Sequence, residues 1–255
     1  MKNCLKKIVL GLFLVIPSSL VYADDAGVDV PPATYAAQEE QESLHNYAST
    51  LCHNPNYVCR AVTENDSWYS LFPNFQQREE VMRLNRTNVA LAYKNWIVEP
   101  KDLATMNYMD MSPLPKHIDT HGEKEVLIDL SLFAFGAYDQ SGHLIYWGPE
   151  SSGAPTCPAS ATSCATPTGD FRVFRIEGKD CTSKEFPLET HGGAPMPYCM
   201  FFHGGAAFHT STLSGFINRS GGCVRLFNSD AKWLNETFVK KGTRVVVTDQ
   251  PMAST

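Results

Sequence analysis

Apolar positions change their rhythm near residue 125. Before that point the chain reads as short pieces. Ala61-Val62 is a brief apolar start, and Asn65-Asp66-Ser67-Trp68 offers side chains able to cap a helix. Leu71 and Phe72 follow, and Pro73 breaks the run. Val81 and Leu84 lie three apart on the polar background of 76–85, which predicts an amphipathic helix. Ile97-Val98-Glu99-Pro100 predicts a short strand stopped by proline. The whole is a small βααβ unit over 60–103. From Glu125 the texture turns to β. Val126–Leu132 and Phe133–Tyr138 are strand-like, Asp139-Gln140-Ser141-Gly142 is a turn, and His143–Trp147 returns as the second arm of a hairpin. Thr166-Pro167-Thr168-Gly169 turns the chain into the alternating run Phe171–Phe174. Asn228-Ser229-Asp230 offers helix-start chemistry, Trp233, Leu234 and Phe238 form one apolar stripe, and Gly242 stops it before the strand Thr243–Thr248. The predicted fold class is mostly β, with one flanking helix packed on the sheet and the βααβ unit ahead of it.

Charge and composition narrow the setting. With 255 residues, 43% hydrophobic and 19% charged, the chain is long enough for one or two real cores. A net charge of −6 at low charge density argues against nucleic acid as partner. Lys2, Lys6 and Lys7 precede the apolar run Ile8–Ile16, and Val21-Tyr22-Ala23 has small residues at cleavage spacing, so 1–23 reads as a signal peptide. The run is too short to span a bilayer as a mature helix. Export to the periplasm with release is expected, with no stable membrane insertion. Losing three lysines and no acid takes the net charge from −6 to −9. Residues 24–59 read as an acidic linker running into a short exposed helix, 104–123 as a linker, 124–249 as the β domain and 250–255 as a tail.

Cleavage also removes Cys4 and leaves seven cysteines, an odd number. In an oxidising compartment six can pair and one stands apart. Short spacings suggest Cys52–Cys59, Cys157–Cys164 and Cys181–Cys199, which leaves Cys223. It lies in the glycine-rich segment 203–226, HGGAAFHTSTLSGFINRSGGCVRL, with His203 and His209 ahead of it and Arg225 just behind. Glycines let backbone N–H groups approach a substrate, a thiol attacks as thiolate, and an arginine supplies positive field and a fork for a carboxylate. In outline this is a nucleophilic acyl-transfer site. None of the eight histidines follows Cys223, which excludes peptidase orders that need a downstream base. His203 and His209 are six apart with no acid between them, so no metal site is expected.

The ending Ser220-Gly221-Gly222-Cys223-Val224-Arg225-Leu226, with His209 fourteen residues before the cysteine, resembles the L,D-transpeptidase (YkuD-type) catalytic domain, whose signature is written S-H-G-C-[IV]-R. Pro195-Met196-Pro197-Tyr198, Gly204–His209 and the T-P-x-G of 166–169 are similar to members of that family, so the resemblance spans roughly 124–249. One departure stands out, Gly221 where the family often has histidine. The resemblance implies Cys223 as nucleophile, His209 as base with its ring oriented by the Thr210 carbonyl, and Arg225 beside the site. It also implies N–H groups of Gly222 and Cys223 for the oxyanion and His203 as a nearby wall residue. It implies a cofactor-free enzyme acting on peptidoglycan stem peptides, with a second stem peptide or an outer-membrane protein as acceptor. An L,D-carboxypeptidase on the same acyl-enzyme and a non-catalytic peptidoglycan-binding protein are the alternatives. Within 60–103, Asp66-Ser67-Trp68, Leu84-Asn85 and Ile97–Pro100 resemble a LysM carbohydrate-binding module, which implies a glycan-holding role.

Overall fold

The computed structural model describes residues 47–155, 164–186 and 190–252. Residues 1–23, read from the sequence as a signal peptide, and most of the acidic segment lie outside them, as does Cys157. A helix, α1, runs over 47–53 and leads into strand β1, Tyr57–Ala61. The Cys52–Cys59 disulfide ties the two together. Two helices follow, α2 (Trp68–Leu71) and α3 (Phe75–Leu84), and then strand β2, Trp96–Pro100. Ser67 caps α2 in a reciprocal arrangement with Ser70, and the Asn74 side chain caps α3. β1 pairs antiparallel with β2, Cys59 opposite Val98. Trp68, Phe72, Val81, Leu91 and Ile97 fill a small core between helices and hairpin. Trp68 is therefore a core residue, its indole N–H donating to the Val89 carbonyl at 2.7 Å.

Nine strand segments were too many for the pattern alone to place, and the structure orders them. Among the described residues the larger sheet comprises β3 (Glu125–Asp129), β4 (Ala134–Tyr138), β5 (Leu144–Ser151), β6 (Gly169–Arg172), β7 (Arg175–Ile176), β8 (Met200–His203), β9 (Ala206–Thr210), β10 (Val224–Leu226) and β11 (Arg244–Thr248). Their spatial order is β6-β11-β3-β4-β5-β10-β9-β8-β7. β3, β4 and β5 form an antiparallel meander, while β11 joins β3 and β10 joins β9 in parallel. The sheet curls until the Phe171 ring on β6 lies 5.7 Å from the Phe202 ring on β8, tilted against it. Side chains alternate across it as the pleat requires. Val126 and Ile128 enter the core that holds Phe208, Val224, Leu234 and Phe238, and Leu127 enters the opposite one with Trp147 and Leu114.

Helix α4, Asn228–Trp233, continues as a wide helical turn over Leu234–Phe238 and packs on the sheet. Its start differs from the expected cap. The N-cap position is Phe227, without a side-chain hydrogen bond, and Asp230 turns inward. There it pairs with Arg83 of α3, 147 residues away, and accepts from Tyr146 Oη at 2.7 Å. Both charges are buried, Arg83 at 5% exposure and Asp230 at 0%. Arg86, also fully buried, donates to the carbonyls of Leu84 and Leu132 and lies over the Trp147 and Phe216 rings. Leu84 belongs to the Leu127–Trp147 core. The βααβ unit is thus built into the β domain's packing and does not hang from a linker.

Candidate active site

β9 and β10 are parallel neighbours, with Arg225 opposite His209 and Val224 opposite Phe208. This register brings the base candidate and the residue preceding β10, Cys223, close together on neighbouring strands. His209, Cys223 and Arg225 line a single cavity of about 470 Å³. Its far wall is the segment closed by the Cys181–Cys199 disulfide, contributing Ser183, Glu185, Phe186 and Met196. Cys223 is the free cysteine among the described residues, and Cys164 is disulfide-bonded although its expected partner Cys157 lies outside them.

The segment Ser220–Cys223 ties itself into a hook. Ser220 Oγ accepts from Gly222 N–H at 3.0 Å and donates to the Cys223 carbonyl. Gly222 sits at φ +113°, a conformation that side chains avoid, so glycine is required there. Its N–H is occupied by Ser220, so it is not available for an oxyanion, contrary to the sequence-based expectation. β5 supports the hook from beneath. Ser220 N–H donates to the Ser152 carbonyl at 2.9 Å, Ser151 Oγ to the Ile217 carbonyl at 2.6 Å, and Ser152 N–H to Asn218 Oδ1 at 2.9 Å. Thr166, read from the sequence only as part of a turn, donates to the Gly222 carbonyl at 3.0 Å and accepts from Gly153 N–H. Glu150 is fully buried in the same scaffold, and burial pushes its carboxyl up to about 8.

The two chemical groups are held in their neutral forms. His209 is 7% exposed, and burial brings its pKa down to about 4 against the opposing pull of the Thr210 carbonyl, with Arg225 lowering it further. Burial likewise raises the Cys223 thiol, while a backbone N–H at Ala207 and the Arg225 charge oppose the rise. His209 Nδ1 lies 2.9 Å from the Thr210 carbonyl, a contact that makes Nδ1 the protonated nitrogen and leaves Nε2 as the acceptor. Cys223 Sγ lies 3.7 Å from the Gly205 carbonyl. A neutral thiol lining the same cavity as a neutral imidazole can pass its proton as it attacks, without a resting ion pair.

Of the remaining residues singled out in the sequence, His203 does not line this cavity. It ends β8 exposed, its ring 4.8 Å from Phe171. Gly221 lines the cavity, and a Cβ there would stand 2.8 Å from the Phe186 ring. Phe186 therefore occupies the space that a side chain at position 221 would claim. Phe186 and its neighbours on the far wall went unread because nothing local marks them. Only the Cys181–Cys199 pairing brings them back toward β8.

Among the described residues, Glu177, Cys181 and Cys199 are the group whose ligand atoms cluster tightly enough for a metal. The two sulfurs are joined in the disulfide, so they do not serve as thiolate ligands.

The family described as the L,D-transpeptidase catalytic domain, YkuD, matches residues 123–247. Those residues are an L,D-transpeptidase catalytic domain. Solved structures similar to the chain include an L,D-transpeptidase (residues 123–326) from Xylanimonas cellulosilytica, at 25% identity and a TM-score of 0.49 over 66% of this chain and 78% of that one. Another is an L,D-transpeptidase from Stackebrandtia nassauensis, at 25% identity and 0.41 over 53% and 60%. A third is from Mycobacterium smegmatis, at 22% and 0.41 over 49% and 58%. The chain thus spans under two thirds of the length of the last two. No curated protein matches the chain. The transpeptidase domain comprises β3 to β11 and contains every residue of the cavity. L,D-transpeptidases are enzymes acting on peptidoglycan stem peptides. No helix among the described residues is long and apolar enough to cross a membrane.

Proposed function

We propose that the chain is a periplasmic L,D-transpeptidase working through a Cys223 acyl-enzyme. Cys223 Sγ attacks the amide carbonyl after the third residue of a peptidoglycan stem peptide, a meso-diaminopimelate by family resemblance. His209 Nε2 takes the thiol proton. The Cys223 N–H faces the developing oxyanion, the role that Gly222 cannot share. As the C–N bond breaks, the proton passes from His209 to the leaving D-alanine amine, and the thioester remains. An acceptor amine, on a second stem peptide or an outer-membrane protein, then attacks the thioester, gives its proton to His209 and restores the thiol. The observation that carries this reading is one cavity lined by the free thiol, by a neutral histidine whose Nδ1 is held by the Thr210 carbonyl, and by Arg225. The βααβ unit, by its resemblance to LysM modules, holds the enzyme near the glycan.

A carbapenem, which opens on a nucleophilic thiol, tests the chemistry by intact mass. Wild type gains one adduct, and Cys223→Ala gains none. His209→Ala acylates roughly 10²–10⁴-fold more slowly, the range for losing a positioned base, and His203→Ala changes little. An adduct that persists in Cys223→Ala, or a greater loss in His203→Ala, overturns the assignment. Muropeptide mass spectra after incubation with a tetrapeptide substrate identify the transfer product.

A further inference from the structure

Between Thr210, the last residue of β9, and Val224, the first of β10, the chain leaves the sheet and returns as a thirteen-residue loop that joins base to nucleophile. β5 fixes its second half. Its first half is fixed by residues from the other side of the molecule, the segment after α3. Leu213 N–H donates to Asn88 Oδ1 at 2.9 Å, Asn88 Nδ2 to the Ser211 carbonyl at 3.4 Å, and Asn88 N–H to the Leu213 carbonyl at 3.2 Å. Thr87 Oγ1 reaches the same Leu213 carbonyl at 3.1 Å, Gly215 N–H donates to the Arg86 carbonyl at 2.9 Å, and Lys94 Nζ donates to the Ser214 carbonyl. Leu213 and Thr87 are fully buried.

We infer that Asn88, with Thr87, is a positioning residue of the active site, through which the βααβ unit sets the orientation of the His209 imidazole. The inference rests on the transpeptidase reading above and adds a control on that site. The path is short. The carbonyl that holds His209 Nδ1 belongs to the Thr210–Ser211 peptide, whose N–H donates to the Leu226 carbonyl at 3.0 Å. The next two peptide planes end at the Ser211 carbonyl and the Leu213 N–H, and Asn88 grips both with one amide. A primary amide suits this, since it offers a donor and an acceptor in a fixed plane. With both planes held, rotation about Ser211 is blocked, and the Thr210 carbonyl keeps its aim. Without them the carbonyl can swing, and an imidazole off its line to the thiol loses rate steeply, since about 1 Å of misplacement can cost on the order of 10²-fold. Ser211 itself lines the catalytic cavity.

The experiment compares the full mature chain as wild type, Asn88→Ala, Asn88→Asp and Thr87→Val. Acylation by a carbapenem is followed by intact mass across concentrations, and each rate is normalised to folded protein by circular dichroism. The His209 Nδ1 proton is read in parallel by ¹⁵N-resolved NMR. In Asn88→Ala the saturating acylation rate falls about tenfold or more, the half-saturating concentration is unchanged, and the Nδ1 proton signal broadens or vanishes. Asn88→Asp keeps the acceptor for Leu213 N–H but loses the donor to the Ser211 carbonyl, so its rate falls between those of Asn88→Ala and wild type and its Nδ1 signal broadens less than in Asn88→Ala. If Asn88→Ala fails to fold, Thr87→Val, which loses only a hydroxyl, carries the test with a smaller loss in the same parameter. A saturating rate equal to wild type together with an unaltered Nδ1 signal, in either variant, overturns the inference. So does a loss confined to thermal stability. Should wild type form no adduct, the transpeptidase reading fails, and the Nδ1 signal alone still decides whether Asn88 orients His209.

Discussion

Burial holds Cys223 and His209 neutral, and the consequence for rate against pH can be worked out. His209 must be unprotonated to accept the thiol proton. At an ordinary histidine value near 6.5 the base would fade through the weakly acidic range. Burial places it at about 4 instead. Acylation of the wild type by a carbapenem should therefore hold roughly level from pH 7 down to near 5, then drop on approach to pH 4. Above neutrality it should rise as the thiol, itself pushed up by burial, begins to ionise. Rates measured between pH 4 and 9 check this, and an acid limb centred near 6.5 would show that the ring is hydrated and not buried. Cys223, His209 and Arg225 were legible in the sequence because their spacing matches a family signature. Gly222 was legible as glycine but not in its role, because its positive φ and the Ser220 hydroxyl that occupies its N–H exist only once the hook is folded. Phe186 was not legible at all, since its contact with Gly221 spans 35 residues of sequence across a disulfide-closed segment.

At the scale of elements, the junction between α3 and α4 decides how the site is carried. Arg83 and Asp230 form a pair with no solvent to share the field. Burial raises the Asp230 carboxyl and Arg83 opposes that rise, while the carboxylate keeps the guanidinium charged against its own desolvation. A buried pair need not add stability over an apolar replacement, but removing one partner strands the other, at a cost of about 3–5 kcal/mol. Asp230 already has one oxygen, Oδ2, without a hydrogen-bond partner, so it has little in reserve. Arg83→Ala should lower the urea midpoint by an amount in that range. Arg83→Met with Asp230→Leu should recover most of the loss, because no charge is left behind. A double variant no more stable than Arg83→Ala would show that shape, and not the stranded carboxylate, is what matters. β3, β4, β5, β6, β11 and α3 were legible element by element, because runs such as Val126–Leu132 have β texture and Val81 and Leu84 share a helix face, whereas β7 to β10 were not read as strands. Asn228-Ser229-Asp230 marks the start of α4, and Asp230 does lie in its first turn, but nothing local shows that its carboxylate turns inward to a partner 147 residues earlier.

For the whole molecule, the question is whether the βααβ unit and the transpeptidase domain are one cooperative body. The boundaries read from composition suggest two units joined through 104–123. Neither Arg86 nor Leu84 shows in sequence that it belongs to the other unit's core, since an arginine and a leucine on α3 fit equally well in a free-standing module. In the structure Leu84 packs with Leu127, Ile118 and Trp147, and Arg86 is enclosed by Tyr47, Trp147 and Phe216. Separating the units would expose Leu84 and Leu213, strand Asp230 and open the carbonyl contacts of Arg86. Each of these costs on the order of 1–5 kcal/mol, which together rivals the total stability of a typical domain, about 5–15 kcal/mol. A chain from residue 24 onward should accordingly melt in one calorimetric transition, with van't Hoff and calorimetric enthalpies in agreement. Arg83→Ala should move that transition to lower temperature without splitting it. The unit is then needed for catalysis as well as for any hold on glycan. A chain beginning at residue 104 should lose carbapenem acylation along with binding to purified sacculi. Two separate transitions, or a truncated chain that acylates at the wild-type rate, would mean that the domain builds its active site unaided.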